Sequence, residues 1–204
     1  MPNLSKELSK AISGGLPGIS AHKRMAPEGR KLFIEKGHKY NAGVLILLFK
    51  DEQQQWSIVF MKRTVYKGHH SAQISFPGGK EEPEDENLEF TALRECEEEI
   101  GIDANEIEVI GKLSELYIPV SSFLVHPYIG ILQTKPKFTI DKTEVEYLIH
   151  ETTACLSELA IEYTSLTHEG KEYQIPYYNI KNEIVWGATA MILSEFLEVF
   201  RRIV

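Results

Sequence analysis

Glu95, Glu98 and Glu99 recur at i, i+3 and i+4 inside the stretch from Leu88 to Ile100. At roughly 100° per residue, that spacing sets three carboxylates together on one side of a helix. The stretch carries the marks of one. Asp85 or Asn87 can cap its start, Gly101 can end it, and Ala92, Leu93, Cys96 and Ile100 fall together on the opposite side, with Arg94 between the two faces. Like charges at these offsets repel by about 0.2–0.5 kcal/mol per pair. Carboxylates in a last helical turn also face the negative end of the macrodipole. A divalent cation, which takes several hard oxygen ligands, resolves both conflicts; a solvated acidic face leaves them standing. Spacing alone keeps the two readings open, although local rules broken without compensation tend to mark functional sites.

Just upstream lies Phe76-Pro77-Gly78-Gly79-Lys80. The two glycines are expected to make a tight turn in which backbone can approach a ligand closely. The Gly79 carbonyl could there add one more oxygen to the glutamates. The acidic run from Lys80 to Glu86 reads as a loop joining that turn to the helix.

Such residues work only if a rigid frame holds them. Asn41 to Phe49 is a near-continuous apolar run, as in a strand buried on both faces. Strands are also expected at Trp56–Met61, Gln73–Phe76, Ile107–Leu116, Val125–Gln133 and Val145–Ile149, with a hairpin or strand pair over Lys171–Ile180. Helices are expected at Leu4–Ile12, Thr153–Ile161 and Gly187–Ile203. The last has Met191, Ile192, Phe196, Val199, Phe200 and Ile203 at helical spacing. Leu16–Arg30 is punctuated by Pro and Gly and reads as irregular.

The chain's 204 residues and 43% hydrophobic composition suit one globular domain with a short extension. Its net charge of −8 is unevenly spread. Glu81 to Glu108 holds 13 acids and one base, whereas residues 1–39 hold eight Lys/Arg and three acids. An acidic chain is a poor general binder of nucleic acid, and no apolar run reaches the roughly 20 residues that span a bilayer. Cys96 and Cys155 match no metal spacing and read as two reduced thiols of a cytoplasmic protein. The basic first segment reads either as a flap over an anionic ligand or as a solvated extension.

Arg94, Glu95, Cys96, Glu97, Glu98, Glu99, Ile100, Gly101 and Ile102 fill without a gap the second half of a known signature, R-E-U-x-E-E-x-G-U with U apolar. Seven residues separate Glu86 from Arg94, as that signature requires. The chain thus resembles the Nudix hydrolases. Six residues rather than five separate Gly79 from Glu86, and Asp85 stands beside the expected position. That departure is similar to the variant seen in the coenzyme A pyrophosphatase branch. A second motif of that branch, L-L-T-x-R-[SA], three residues, R, three residues, G, three residues, F-P-G-G, fits the spacing from Val59 to Gly79. Arg63 and Phe76 to Gly79 match it, while Gly68 stands where its second Arg belongs and Ala72 replaces its Gly. LPG and MAP near the start and VWGATAMIL near the end are similar to the same branch.

The resemblance implies an α/β fold, a Nudix-like α/β/α sandwich with a central mixed sheet. It would occupy residues 37–204, with residues 1–36 forming a helix and a basic extension packed on it. It implies Mg²⁺ or Mn²⁺ held by Glu95, Glu98, Glu99 and Gly79, with Arg94 fixing the glutamates through a bidentate pair. Arg63 would contact phosphate, with Lys62, Lys67, His70 and Gln73 as further substrate contacts; Lys67, His69 or His70 could replace the charge missing at Gly68. The proton of the attacking water would pass to a glutamate of the cluster or to Glu144 or Glu146. The implied activity is a diphosphatase acting on coenzyme A to give 3′,5′-ADP and 4′-phosphopantetheine, in a homodimer by family habit. Two alternatives stay open: another nucleoside diphosphate derivative (ADP-ribose, a dinucleotide or a nucleoside triphosphate), or a Nudix-fold module that binds a ligand without turnover.

Overall fold

The computed structural model of the chain describes residues 4–30, 32, 39–65, 72–168 and 171–203. In chain order its elements are α1 (Leu4–Ser13), α2 (Ile19–Arg24), β1 (Tyr40–Lys50), β2 (Trp56–Arg63), β3 (Ile74–Ser75), β4 (Gly78–Lys80) and α3 (Leu88–Ile100). There follow β5 (Ile107–Lys112), β6 (Leu116–Ile118), β7 (Phe123–Leu132), β8 (Val145–Thr152), α4 (Thr153–Ser157), β9 (Glu162–His168), β10 (Lys171–Ile180), β11 (Glu183–Trp186) and α5 (Gly187–Phe200).

Strand β1 is the spine. It pairs in parallel with β7 and antiparallel with β2 and β4, so the main sheet is mixed as expected. The sheet runs β3-β2-β1-β7-β5, with β4, β6 and β8 paired to β1, β7 and β2. Side chains alternate along a strand, and β1 buries both sets. Leu45, Leu47 and Phe49 join Ala92, Cys96 and Ile100 of α3 in one core. Ile46 and Leu48 join Met191, Ile192, Phe196 and Phe200 of α5 in the other. Two apolar layers thus sandwich the sheet between α3 and α5, which is why the run Asn41–Phe49 carries no polar face.

Helix α2 packs on α5, and α1 reaches both β5 and α5. The segment read as irregular therefore contains a short helix. Its anchor is Glu195, fully buried on α5, which accepts from the Gly18 amide (2.9 Å), the Ser114 amide (3.1 Å) and the Ser114 hydroxyl (2.6 Å) and meets His22 Nε2 at 3.0 Å. Partners 81 to 177 residues away in sequence hold α2 in place, and no local pattern announces them.

The expected helix Thr153–Ile161 stops at Ser157, and β9 begins at Glu162. Lys171–Ile180 forms a single strand, the centre of a second sheet ordered β11-β10-β9. Among the described residues no helix is long and apolar enough to cross a membrane.

Candidate active site

Helix α3 starts where the Asn87 side chain accepts from the Phe90 amide at 2.9 Å and ends at Gly101, left-handed with φ 71°. With Asn87 as the cap, Asp85 is free for another task. Arg94 donates to it twice, Nε to Oδ1 at 2.9 Å and Nη2 to Oδ2 at 3.2 Å. The same guanidinium reaches Glu98 (2.9 Å), Glu95 (3.1 Å) and the Lys80 carbonyl (3.2 Å). The expected bidentate pair exists, but its partner is Asp85 and not a glutamate of the cluster; Glu95 and Glu98 receive one bond each from Arg94. Hydrogen bonding to Arg94 holds the Asp85 carboxyl down at about 2 against the opposing effect of burial, helped by the Glu82 amide and the Thr91 hydroxyl. Glu86, the other reading of that position, is exposed.

The three glutamates do not form one solvent-facing cluster opposite the core. Glu98 is exposed and Glu95 half-buried, but Glu99 is buried at 1% exposure. Its Oε2 accepts from the Gly78 amide (2.8 Å) and its Oε1 from Arg63 (3.0 Å). Burial pushes the Glu99 carboxyl up to about 8, outweighing Arg63 and the Gly78 amide, which favour the ion. Burial also raises Glu95, opposed by Arg94. Beneath these side chains the backbone is pared to glycine. A Cβ on Gly43 would lie 2.4 Å from the Leu88 carbonyl, and one on Gly79 would lie 2.3 Å from the Glu95 carboxylate. Gly43 and Gly79 are register partners in β1 and β4, so the pair of glycines lets α3 settle onto the sheet there. The segment Gly78–Lys80, read as a turn, is thus a short strand along the helix.

Among the described residues no three His, Cys, Asp or Glu side chains converge as metal ligands, because Arg94 and Arg63 draw the carboxylates to themselves. The donor set nonetheless fits a hard cation. It is all oxygen, it spans one helical turn, and it includes a buried carboxyl whose ionised form a cation would stabilise. The cradle between Gly79 and Glu95 would be filled by any Cβ.

Gly78 and Gly79 also line a cavity of about 270 Å³ on the other face of β4. Its walls are mainly apolar, from Ala42 and Val44 (β1), Phe76, Ile118 (β6), Phe123 and Val125 (β7), and Ala188 and Ile192 (α5), with Arg63, Gln73, Ser75, Lys80 and Thr189 as its polar members. The first turn of α5 is pinned there by the Thr189 hydroxyl on the Ile74 carbonyl (3.1 Å).

Of the residues expected to meet substrate, Arg63 and Gln73 reach this cavity. Lys62 does not line it; its ammonium is held by Glu183 at 2.9 Å. Lys67 and His70, with Gly68 and His69, lie outside the described residues. Glu144 meets Arg63 at 3.4 Å and is felt electrostatically by Glu95 and Glu99, whereas Glu146 is exposed on β8 beside Tyr147. Of the basic N-terminal residues, Arg24 is engaged by Glu198 and Arg30 donates to the Tyr117 carbonyl at 3.4 Å.

The family model of the NUDIX domain matches residues 39–162, more than half of the chain and the whole span from β1 through α3 to Glu144. The chain belongs to the Nudix family. Curated relatives agree: the uncharacterized Nudix hydrolase NudL of Yersinia pestis (strain Pestoides F) is 33% identical over 70% of this chain and 71% of its own length. The protein of the same name from Photorhabdus laumondii is 27% identical over 70% and 76%. Among solved structures, the Nudix hydrolase RenU from M. smegmatis superposes with a TM-score of 0.57 at 12% identity, covering 86% of this chain and 98% of that one. A MutT/nudix family protein from Enterococcus faecalis gives 0.53 at 16%, covering 98% and 76%. At those identities the structures speak for the fold, a mixed sheet between helices. This Nudix hydrolase belongs to a family whose members generally use divalent metal ions.

Proposed function

We propose that this Nudix hydrolase cleaves the diphosphate of coenzyme A and its derivatives, releasing 3′,5′-ADP and 4′-phosphopantetheine, with Mg²⁺ or Mn²⁺ bound. The observation that carries the reading is the apolar cavity directly beside Gly78 and Gly79. The terminal phosphates of a nucleoside triphosphate, and the hydroxyl-rich sugar of ADP-ribose or of a dinucleotide's second half, suit such walls poorly, because burying polar groups without partners is costly. The pantetheine arm is long and uncharged, and it suits walls made by Val44, Phe76, Ile118 and Ile192. The motif match from Val59 to Gly79 supports the same substrate.

In this reading Glu95, Glu98, Glu99 and the Gly79 carbonyl hold the metal. A bound divalent ion would neutralise charge on the diphosphate and lower the pKa of a bound water. Arg94 keeps Glu95, Glu98 and Asp85 in one rigid group through four hydrogen bonds from a single planar fork, with a fifth to the Lys80 carbonyl. Arg63, now on Glu99 and Glu144, turns one edge of its guanidinium to the phosphate. Glu144, exposed and beside Arg63, takes the proton of the attacking water.

The test is a panel of coenzyme A, ADP-ribose, NADH and diadenosine polyphosphates with Mg²⁺ or Mn²⁺, products separated by chromatography, wild type beside Glu99→Gln. Fastest conversion of coenzyme A to 3′,5′-ADP, lost in the variant, is the expected result. Faster cleavage of another substrate overturns the coenzyme A reading and keeps the mechanism. No turnover of any overturns both.

A further inference from the structure

The cavity does not end at its apolar walls. Tyr40, Ala42 and Val44 alternate onto one face of β1, so Tyr40 continues the floor made by the other two. Its parallel partner Phe123 lies on the same face of β7, and the two rings sit 5.3 Å apart at 37°. Lys80, opposite Ala42 in β4, extends over Tyr40 with its ammonium 4.5 Å from the ring centre. Phe123 and Lys80 line the cavity, and Tyr40 is 42% exposed at its rim.

Phe123 is partly buried against the core, but the Tyr40 ring beside it is exposed and capped only by a flexible cation, an arrangement with little to gain as a structural feature. It is well suited to a planar base, whose faces stack on aromatic rings whatever the sequence of ring atoms, and whose attached phosphates are drawn to an ammonium. Tyr40 stands three residues before Gly43, the register partner of Gly79. That is about 10 Å along the strand, the reach of a ribose carrying a diphosphate. A base on Tyr40 therefore leaves its diphosphate at β4, where Gly78 and Gly79 lie between the cavity and the glutamates.

We propose that Tyr40, Phe123 and Lys80 form the nucleotide subsite, with the purine base on the two rings and Lys80 against the phosphate on the ribose. This rests on the diphosphate-cleaving reading for where the phosphates lie, and it assigns the two halves of the substrate: the uncharged arm enters the apolar cavity and the nucleoside stays at the rim. The division follows from chemistry. Among the described residues the cavity has no cation beyond Arg63 and Lys80 at its polar edge, and a phosphorylated ribose needs one.

Direct binding separates this from turnover. AMP, 3′,5′-ADP and ribose 5-phosphate have no diphosphate to cleave, and each would be titrated by calorimetry in Mg²⁺ into wild type, Tyr40→Leu, Tyr40→Phe and Lys80→Met. Wild type is expected to bind AMP more tightly than ribose 5-phosphate. Tyr40→Leu should weaken AMP about tenfold and leave ribose 5-phosphate where it was, while Tyr40→Phe, which keeps the ring, should bind AMP within about twofold of wild type. Lys80→Met should reduce the preference for 3′,5′-ADP over AMP. Equal AMP affinity in wild type and Tyr40→Leu, or equal affinity of wild type for AMP and ribose 5-phosphate, overturns the subsite. So does Tyr40→Phe binding AMP as weakly as Tyr40→Leu. If coenzyme A is not cleaved but AMP binding falls only when the ring is lost, the substrate reading fails and the subsite stands; if coenzyme A is cleaved and AMP binding ignores the ring, the reverse holds.

Discussion

Glu99 is a carboxyl that the fold buries beside a backbone amide and a single guanidinium, and the consequence is measurable in the metal-free protein. Below its ordinary value of 4.5 the group is protonated in both folded and unfolded chains. Between 4.5 and about 8 the folded protein keeps a proton that the unfolded chain has released. Folding is then linked to proton uptake, and stability falls as pH rises, by about 1.4 kcal/mol per pH unit. Over the whole window this amounts to about 5 kcal/mol, which for a chain of this length lowers Tm on the order of 10 °C. Above about 8 the slope from this group ends. The assay is thermal unfolding in EDTA from pH 5 to 9, wild type beside Glu99→Gln. The difference between the two proteins should grow against the wild type as pH rises, because the amide does not titrate. Excess Mg²⁺ should flatten the wild-type curve, since a cation bound to the folded state takes over from the proton. Parallel curves for the two proteins in EDTA would refute the argument that burial governs this carboxyl.

Two further expectations follow from packing. A Cβ at Gly79 meets only the movable end of Glu95, whereas one at Gly78 meets the Gly43 carbonyl at 2.4 Å and the Val44 Cα at 2.6 Å with φ at +148°. Gly79→Ala should therefore stay within about 1 kcal/mol of wild type in urea unfolding yet bind Mg²⁺ about tenfold more weakly, while Gly78→Ala should lose about 3 kcal/mol; equal stabilities would contradict the assigned contacts. Glu195→Ala strands the Gly18 and Ser114 donors around a buried site and should cost about 3–5 kcal/mol. Although burial opposes it, hydrogen bonding to His22 and Ser114 leaves the Glu195 carboxyl below its ordinary range. Its contribution should be complete above that range and fade as pH falls through the lower folded value, so the gap between variant and wild type should narrow in acid.

Helix α3 was legible from Leu88 to Ile100 to the residue, because its cap, its αL terminator and its apolar spacing are all local. The same holds for β1, whose unbroken apolar run signals two buried faces. The boundaries that slipped lie where pairing rather than pattern sets the structure. Gly78–Lys80 has no strand-like composition and is extended because β1 offers it register partners. Helix α4 ends after five residues because β9 begins the second sheet shortly beyond it.

At the site, residue types and spacing were enough to mark Glu95, Glu98 and Glu99 as a charge conflict, since like charges on one helical turn are unfavourable in any fold; the roles expected of Arg94 and Arg63 came from the family resemblance. Types and spacing could not rank the glutamates by burial. That depends on how closely α3 approaches the sheet, which Gly43 and Gly79 control from 45 and nine residues before the helix's first residue. They could not choose Asp85 over Glu86 as the partner of Arg94, because the loop between β4 and α3 decides which carboxyl turns inward. Nor could they join Tyr40, Lys80 and Phe123, which belong to three strands and meet only when β1 takes β4 on one side and β7 on the other. Charge conflict is a property of the chain, whereas burial and cross-strand neighbourhood arise only when distant segments pack.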